Sequence, residues 1–146
     1  MTTGTDCDAD TFYEIGNMYR EGDGVRRDAL HAIIHFKKAA ELGHVGAEFA
    51  LGQMYRAGEG VATDVDAAVN HYLAAATQGH AEAQMLLGSL FDLGAGVPKN
   101  SVIAHVFYSM AAAQGRAGSL DRLKKVESRM TPVLRDQAHS LRKILS

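Results

Sequence analysis

The chain has 146 residues, 47% hydrophobic and 22% charged, with a formal net charge of −2. That length suits one domain, and the near-neutral charge gives no bulk attraction for nucleic acid. No stretch reaches the 18 or so apolar residues of a membrane helix, so membrane insertion is not expected either.

The N-terminal stretch "MTTGTDCDADTF" lacks the basic start and apolar run of a signal peptide, which makes the cytoplasm the expected location. Its one cysteine, Cys7, has no second thiol for a disulfide and reads as a free thiol without a role. Phe12, Ile15 and Tyr19 then recur at helical spacing and predict a first helix over about 9–21. Gly16 inside it costs about 1 kcal/mol relative to alanine. Its presence points to a close helix–helix approach where a Cβ does not fit. Gly22-Asp23-Gly24-Val25 follows as a turn, because glycines supply backbone angles that other residues resist. A dinucleotide-binding loop would need a preceding strand and a third glycine, and neither is present. A second helix opens at Asp28, a good N-cap type, and stops at Gly43, a good residue just past a helix end.

The same plan returns twice without a gap, at a period of 36 residues. "IGNMYREGDGVRRDALHAIIHFKKAAELGH" from Ile15 aligns with "LGQMYRAGEGVATDVDAAVNHYLAAATQGH" from Leu51 and "LGSLFDLGAGVPKNSVIAHVFYSMAAAQGR" from Leu87. First helices are expected at about 46–57 and 82–93. Second helices open at Asp64 and Asn100 and stop at Gly79 and Gly115. The repeats occupy about 9–45, 46–81 and 82–117 of one repeat domain, 1–146. Residues 118–146 form a C-terminal cap. Leu120, Leu123 and Val126 are in phase on a degenerate fourth first-helix. Thr131 N-caps a final helix with Pro132 at its first position. That helix is expected to turn Val133, Leu134, Ala138, Leu141 and Leu145 inward and Arg135, Arg142 and Lys143 outward. One such helix pair cannot bury its own apolar face, whereas stacked repeats can.

These residues, above all "LGQMYRAGEGVATDVDAAVNHYLAAATQGHAEAQ", resemble the Sel-one-like repeat family, relatives of the tetratricopeptide repeats, over about 9–122. The resemblance implies an all-α fold, a right-handed α/α superhelix. It also implies a non-enzymatic adaptor or scaffold, often bacterial and linked to signalling, envelope processes or host interaction. Some secreted members carry a disulfide in every repeat. This chain lacks those cysteines, and the β-lactam binding associated with that branch is not carried over.

By the same resemblance the first helices line the concave face. Reading by register beside the core positions gives three rows: Tyr13, Phe49 and Met85; Asn17, Gln53 and Ser89; Arg20, Arg56 and Asp92. The fourth first-helix adds Asp121 and Lys125. Amides bond both the N–H and the C=O of an extended backbone, and arginine clamps a carboxylate with two bonds. Phe49 and Met85 would add an apolar platform. A groove for a protein or peptide is the functional expectation. The alternative is that these are ordinary solvated helix positions.

Charge is unevenly placed: residues 116–146 carry eight Lys/Arg against three Asp/Glu, and residues 1–115 carry seven against fourteen. The N-terminal end holds Asp6, Asp8, Asp10 and Glu14, and Phe12 and Tyr13 are expected to be partly exposed there. Self-assembly, as a dimer through the N-terminal end or head to tail, is the competing expectation. A hydrolase with a cryptic site is a weaker one. Ser140 and Lys143 fit a Ser-x-x-Lys pattern, but its partner motifs are absent. His31 and His35 have a metal-ligand spacing and His71 repeats His35 one period on. A layer spacing of about 10 Å is too wide for bonds of about 2 Å, so packed or exposed histidines are expected, and no metal or cofactor. His44 and His80, just past the terminal glycines, are expected to cap or decorate the turns.

Overall fold

A computed structural model of the protein describes residues 8–145; Asp6 and Cys7 lie outside the described residues. Among these there are eight α-helices and no strand: α1 (Ala9–Glu21), α2 (Ala29–Glu41), α3 (Val45–Ala57), α4 (Val65–Thr77), α5 (Ala81–Leu93), α6 (Ser101–Ala113), α7 (Ser119–Ser128) and α8 (Pro132–Leu145). The chain divides into two compact units, one up to His71 and one from Tyr72, with the boundary inside α4.

In unit one α1 packs on α2 and α2 on α3. Phe36, fully buried, lies against Gly16 so closely that a Cβ there would meet its ring at 2.6 Å. Ala32, Ile33, Ala47, Leu51 and Met54 fill the rest of this core, with Tyr19, Tyr55 and Val61 packed against it. The Gly-x-Gly-Val phrase is a turn. Gly22, at φ +75°, caps α1 and sends its N–H to the Met18 carbonyl. The Asp28 N–H returns to the Tyr19 carbonyl at 2.8 Å, and Asp64 repeats this with Tyr55 at 2.9 Å. Asp28 then caps α2 by accepting from the His31 N–H, and Asp64 accepts from Ala67 at the start of α4. At the other end of α2, Gly43 (φ +90°) donates to Ala40 and His44 donates to Ala39. These are the paired bonds of a Schellman stop.

Unit two repeats the plan and closes it. α5 packs on α6, and α6 carries both α7 and α8. Tyr108 stands against Gly88 as Phe36 does against Gly16. Asn100 caps α6, and Thr131 Oγ1 accepts the Leu134 N–H at the start of α8. Gln84, 2% exposed, is satisfied by two partners: it donates to the Ala76 carbonyl at 3.0 Å and accepts from Gln114 at 2.8 Å. In the cap two expectations are corrected. Leu120 is 53% exposed, because α7 turns Ser119, Leu123, Val126 and the following Met130 inward instead. Val133 is 65% exposed, because its neighbour Leu134 takes the inward position with Ala138, Leu141 and Leu145. Adjacent helical residues point about 100° apart and do not share a face.

Candidate functional site

The candidate residues form one group in each unit. In unit one the expected apolar platform does not form. Phe49 is buried. Tyr13 is half-buried, stacked on His44 with ring centroids 4.1 Å apart and tilted against Phe36 at 5.7 Å. Asn17 and Gln53 are half-buried. Arg20 is already engaged within the fold. Its Nε donates to Glu59 Oε2 at 3.0 Å, its Nη2 to Glu59 Oε1 at 3.2 Å and its Nη1 to Gln53 Oε1 at 3.4 Å. Glu59 thus supplies from within the carboxylate that Arg20 was expected to take from a ligand. Arg56 is exposed and has no such partner among the described residues, so its guanidinium is open to solvent.

In unit two Met85 is not a platform either. Its sulfur accepts from the Ser119 hydroxyl at 3.0 Å and its side chain packs under α7. Ser89 and Asp92 belong to a connected network rooted in Tyr108, which is 1% exposed. The Tyr108 hydroxyl reaches Ser89 Oγ at 3.3 Å and Asp92 Oδ2 at 3.4 Å. Ser89 Oγ also accepts from Arg122 Nη1 at 2.8 Å, and Asp92 Oδ1 from Arg129 Nη2 at 2.7 Å. The sequence singled out Ser89 and Asp92 and missed Tyr108, Arg122, Arg129 and Glu59. A usable signal existed: Arg20–Glu59 and Asp92–Arg129 are opposite charges one period plus one to three residues apart. Asp121 and Lys125 are exposed on α7.

His44 and His80 are N-caps. Each accepts a backbone N–H at Nδ1, from Ala47 at 3.0 Å and from Ala83 at 3.1 Å. An imidazolium has no acceptor nitrogen, so both caps work only when neutral. Burial holds His80 below the usual histidine pKa; Glu82 pulls the other way and Arg116 adds to the depression. Asp10 lies 3.3 Å from His44 Nε2. His31, His35 and His71 have separate partners: Asp28 at 2.6 Å, the His31 carbonyl at 2.7 Å and Glu48 at 2.8 Å. Among the described residues no three His, Cys, Asp or Glu side chains converge as a metal ion needs. His105 is 3% exposed and, among the described residues, neither ring nitrogen has a hydrogen-bond partner. Glu127 Oε1, at 3.7 Å, is a charge contact only, and the His139 ring meets it edge-on. Burial lowers the His105 pKa, Glu127 pulls it up, and His139 and Arg142 push it down. Ser140 is exposed on α8, in an open groove with Val133, Asp136, Gln137, Leu141 and Ile144. No described helix is long and apolar enough to cross a membrane.

The Sel1 repeat family model matches residues 13–44, 45–80 and 81–115. A Sel1 repeat protein from Oxalobacter formigenes superposes with a TM-score of 0.75 at 36% identity, over 79% of this chain and 47% of that one. A protective antigen of uropathogenic Escherichia coli with an SLR fold superposes with a TM-score of 0.62 at 24% identity, over 94% of this chain and 37% of that one. The chain thus spans less than half the length of either structure. No curated protein matches it. These likenesses place the fold among all-α superhelical repeats.

Proposed function

Because the chain belongs to the Sel1 repeat family, whose repeats commonly serve as protein–protein interaction modules, we propose that it is a non-enzymatic adaptor that holds a protein or peptide segment on the exposed positions of its first helices. The observation that carries this reading is the division of labour among the row residues. Arg20 and Asp92 are spent on ties to Glu59 and Arg129. Arg56 stays exposed and uncommitted. In unit one the held Arg20 and the open Arg56 give a surface partly ordered before binding, which lowers the entropy cost of association.

Affinity capture from a cell lysate tests it, with wild type beside an Asn17→Ala/Arg56→Ala variant. Among the described residues neither side chain makes a hydrogen bond or ion pair within the fold, so the variant is expected to keep its melting temperature. A protein retained by wild type and lost by this variant is the expected result. Equal retention by both would move the interface away from the first helices.

A further inference from the structure

We propose that the surface made by α5 and α7 in unit two binds a carboxylate-rich segment of a partner protein; this rests on the interaction-module reading and names the chemistry of what is held. Arg122 and Lys125 on α7 and Arg129 at its C-cap recur at spacings of three and four, which puts them along one side of the helix. The two guanidinium groups are positioned before any ligand arrives: Ser89 holds Arg122 at 2.8 Å and Asp92 holds Arg129 at 2.7 Å. Both acceptors are in turn held by the buried Tyr108 hydroxyl. A guanidinium has five N–H donors. Arg122 commits one of them to a neutral oxygen, and Arg129, whose side chain is 50% exposed, keeps donors free beyond Asp92 and the Lys125 carbonyl. Planar, preoriented forks of this kind match carboxylates in pairs.

The carboxylates nearby do not cancel the face. Asp92 offsets Arg129, Asp121 is exposed one turn from Lys125, and Glu127 turns toward His105. Against them stand Arg122, Lys125 and Arg129, in a cap segment (residues 118–146) with seven basic residues to three acidic. The whole chain is nevertheless negative. That net charge gives no bulk attraction for a long polyanion, while a short acidic peptide engages the cap locally.

Fluorescence anisotropy on the full chain tests this with three labelled peptides of about a dozen residues: Asp/Glu-rich, Lys-rich and neutral. The acidic peptide is expected to bind about tenfold tighter than the neutral one, a difference of about 1.4 kcal/mol, and to weaken as salt is raised. Arg122→Ala/Lys125→Glu is expected to remove that preference, at a small cost in the thermal melt from the lost Arg122–Ser89 bond. Lys125→Glu alone touches no packed group and is expected to lose part of it. Equal affinity for acidic and neutral peptides, or an acidic preference that survives both variants, overturns the proposal. Binding of neutral or basic peptides alone overturns it and leaves the interaction reading standing. Binding of RNA or anionic vesicles with no acidic-peptide binding overturns it as well. Failure of every peptide to bind counts against both readings.

Discussion

The ring of Tyr108 lies against the backbone of Gly88 so closely that a Cβ on that glycine would meet its Cδ1 at 2.5 Å. Alanine in a helix is ordinarily favoured over glycine by about 1 kcal/mol. Here the new methyl pushes into a fully buried aromatic that also holds Ser89 and Asp92. Gly88→Ala is expected to destabilise by about 1–3 kcal/mol in a urea titration. Gly16→Ala, which meets Phe36 at 2.6 Å, should behave alike. A gain in stability at either site would mean that the helices part without cost.

Arg20 and Glu59 meet through two bonds, with side chains 24% and 25% exposed. A double-mutant cycle of Arg20→Ala and Glu59→Gln should give a coupling of about 0.5–1 kcal/mol, as partly exposed pairs do. The coupling should shrink in high salt. A coupling of zero would mean that this fork is not formed in solution.

His80 and His44 cap α5 and α3 only as neutral rings. The folded pKa of His80 lies below its usual value, so the folded state favours the neutral form. That contribution is complete above the ordinary histidine value of about 6.5. It is lost as pH falls from there through the depressed folded value. His80→Ala should cost about 1 kcal/mol at pH 8. His80→Asn keeps an acceptor at every pH, so it should hold the pH 8 stability and flatten the decline between pH 7 and 5. An undiminished decline in the asparagine variant would contradict the cap's role as the sensor.

His105 buries two nitrogens without hydrogen-bond partners among the described residues, so its polarity adds cost to the junction of α6 with the cap. An apolar residue of similar size removes that cost. His105→Leu is expected to be at least as stable as wild type, or within about 1 kcal/mol of it, and to reduce the acid sensitivity further. A large loss would show that the ring makes a bond through water or a rearranged Glu127.

The repeat was legible because its signals are local. Asp28, Asp64 and Asn100 cap their helices, and Gly43 and Gly79 end the helices before them, through contacts within a few residues. The glycine recurring at Gly16, Gly52 and Gly88 announced a close helix–helix approach, and the structure supplies Phe36 against Gly16 and Tyr108 against Gly88. Register in the cap was less legible. Leu120 and Val133 look like core residues by type, yet Ser119 and Leu134 hold the inward positions, and one residue's shift rotates a helical side chain by about 100°. The candidate site was half legible. Register found Ser89, Asp92, Arg20 and Arg56. It did not show that Arg20 is closed by Glu59 or that Ser89 and Asp92 hold Arg122 and Arg129, because those partners lie more than 30 residues away.

If a partner lies on the first helices, site-directed photocrosslinking in lysate catches it there. A photoreactive residue replaces Arg56 on α3 in one variant and the exposed Ile34 on α2 in another. A discrete crosslinked protein is expected from position 56 and none from position 34. A crosslink from position 34 with none from position 56 would contradict it.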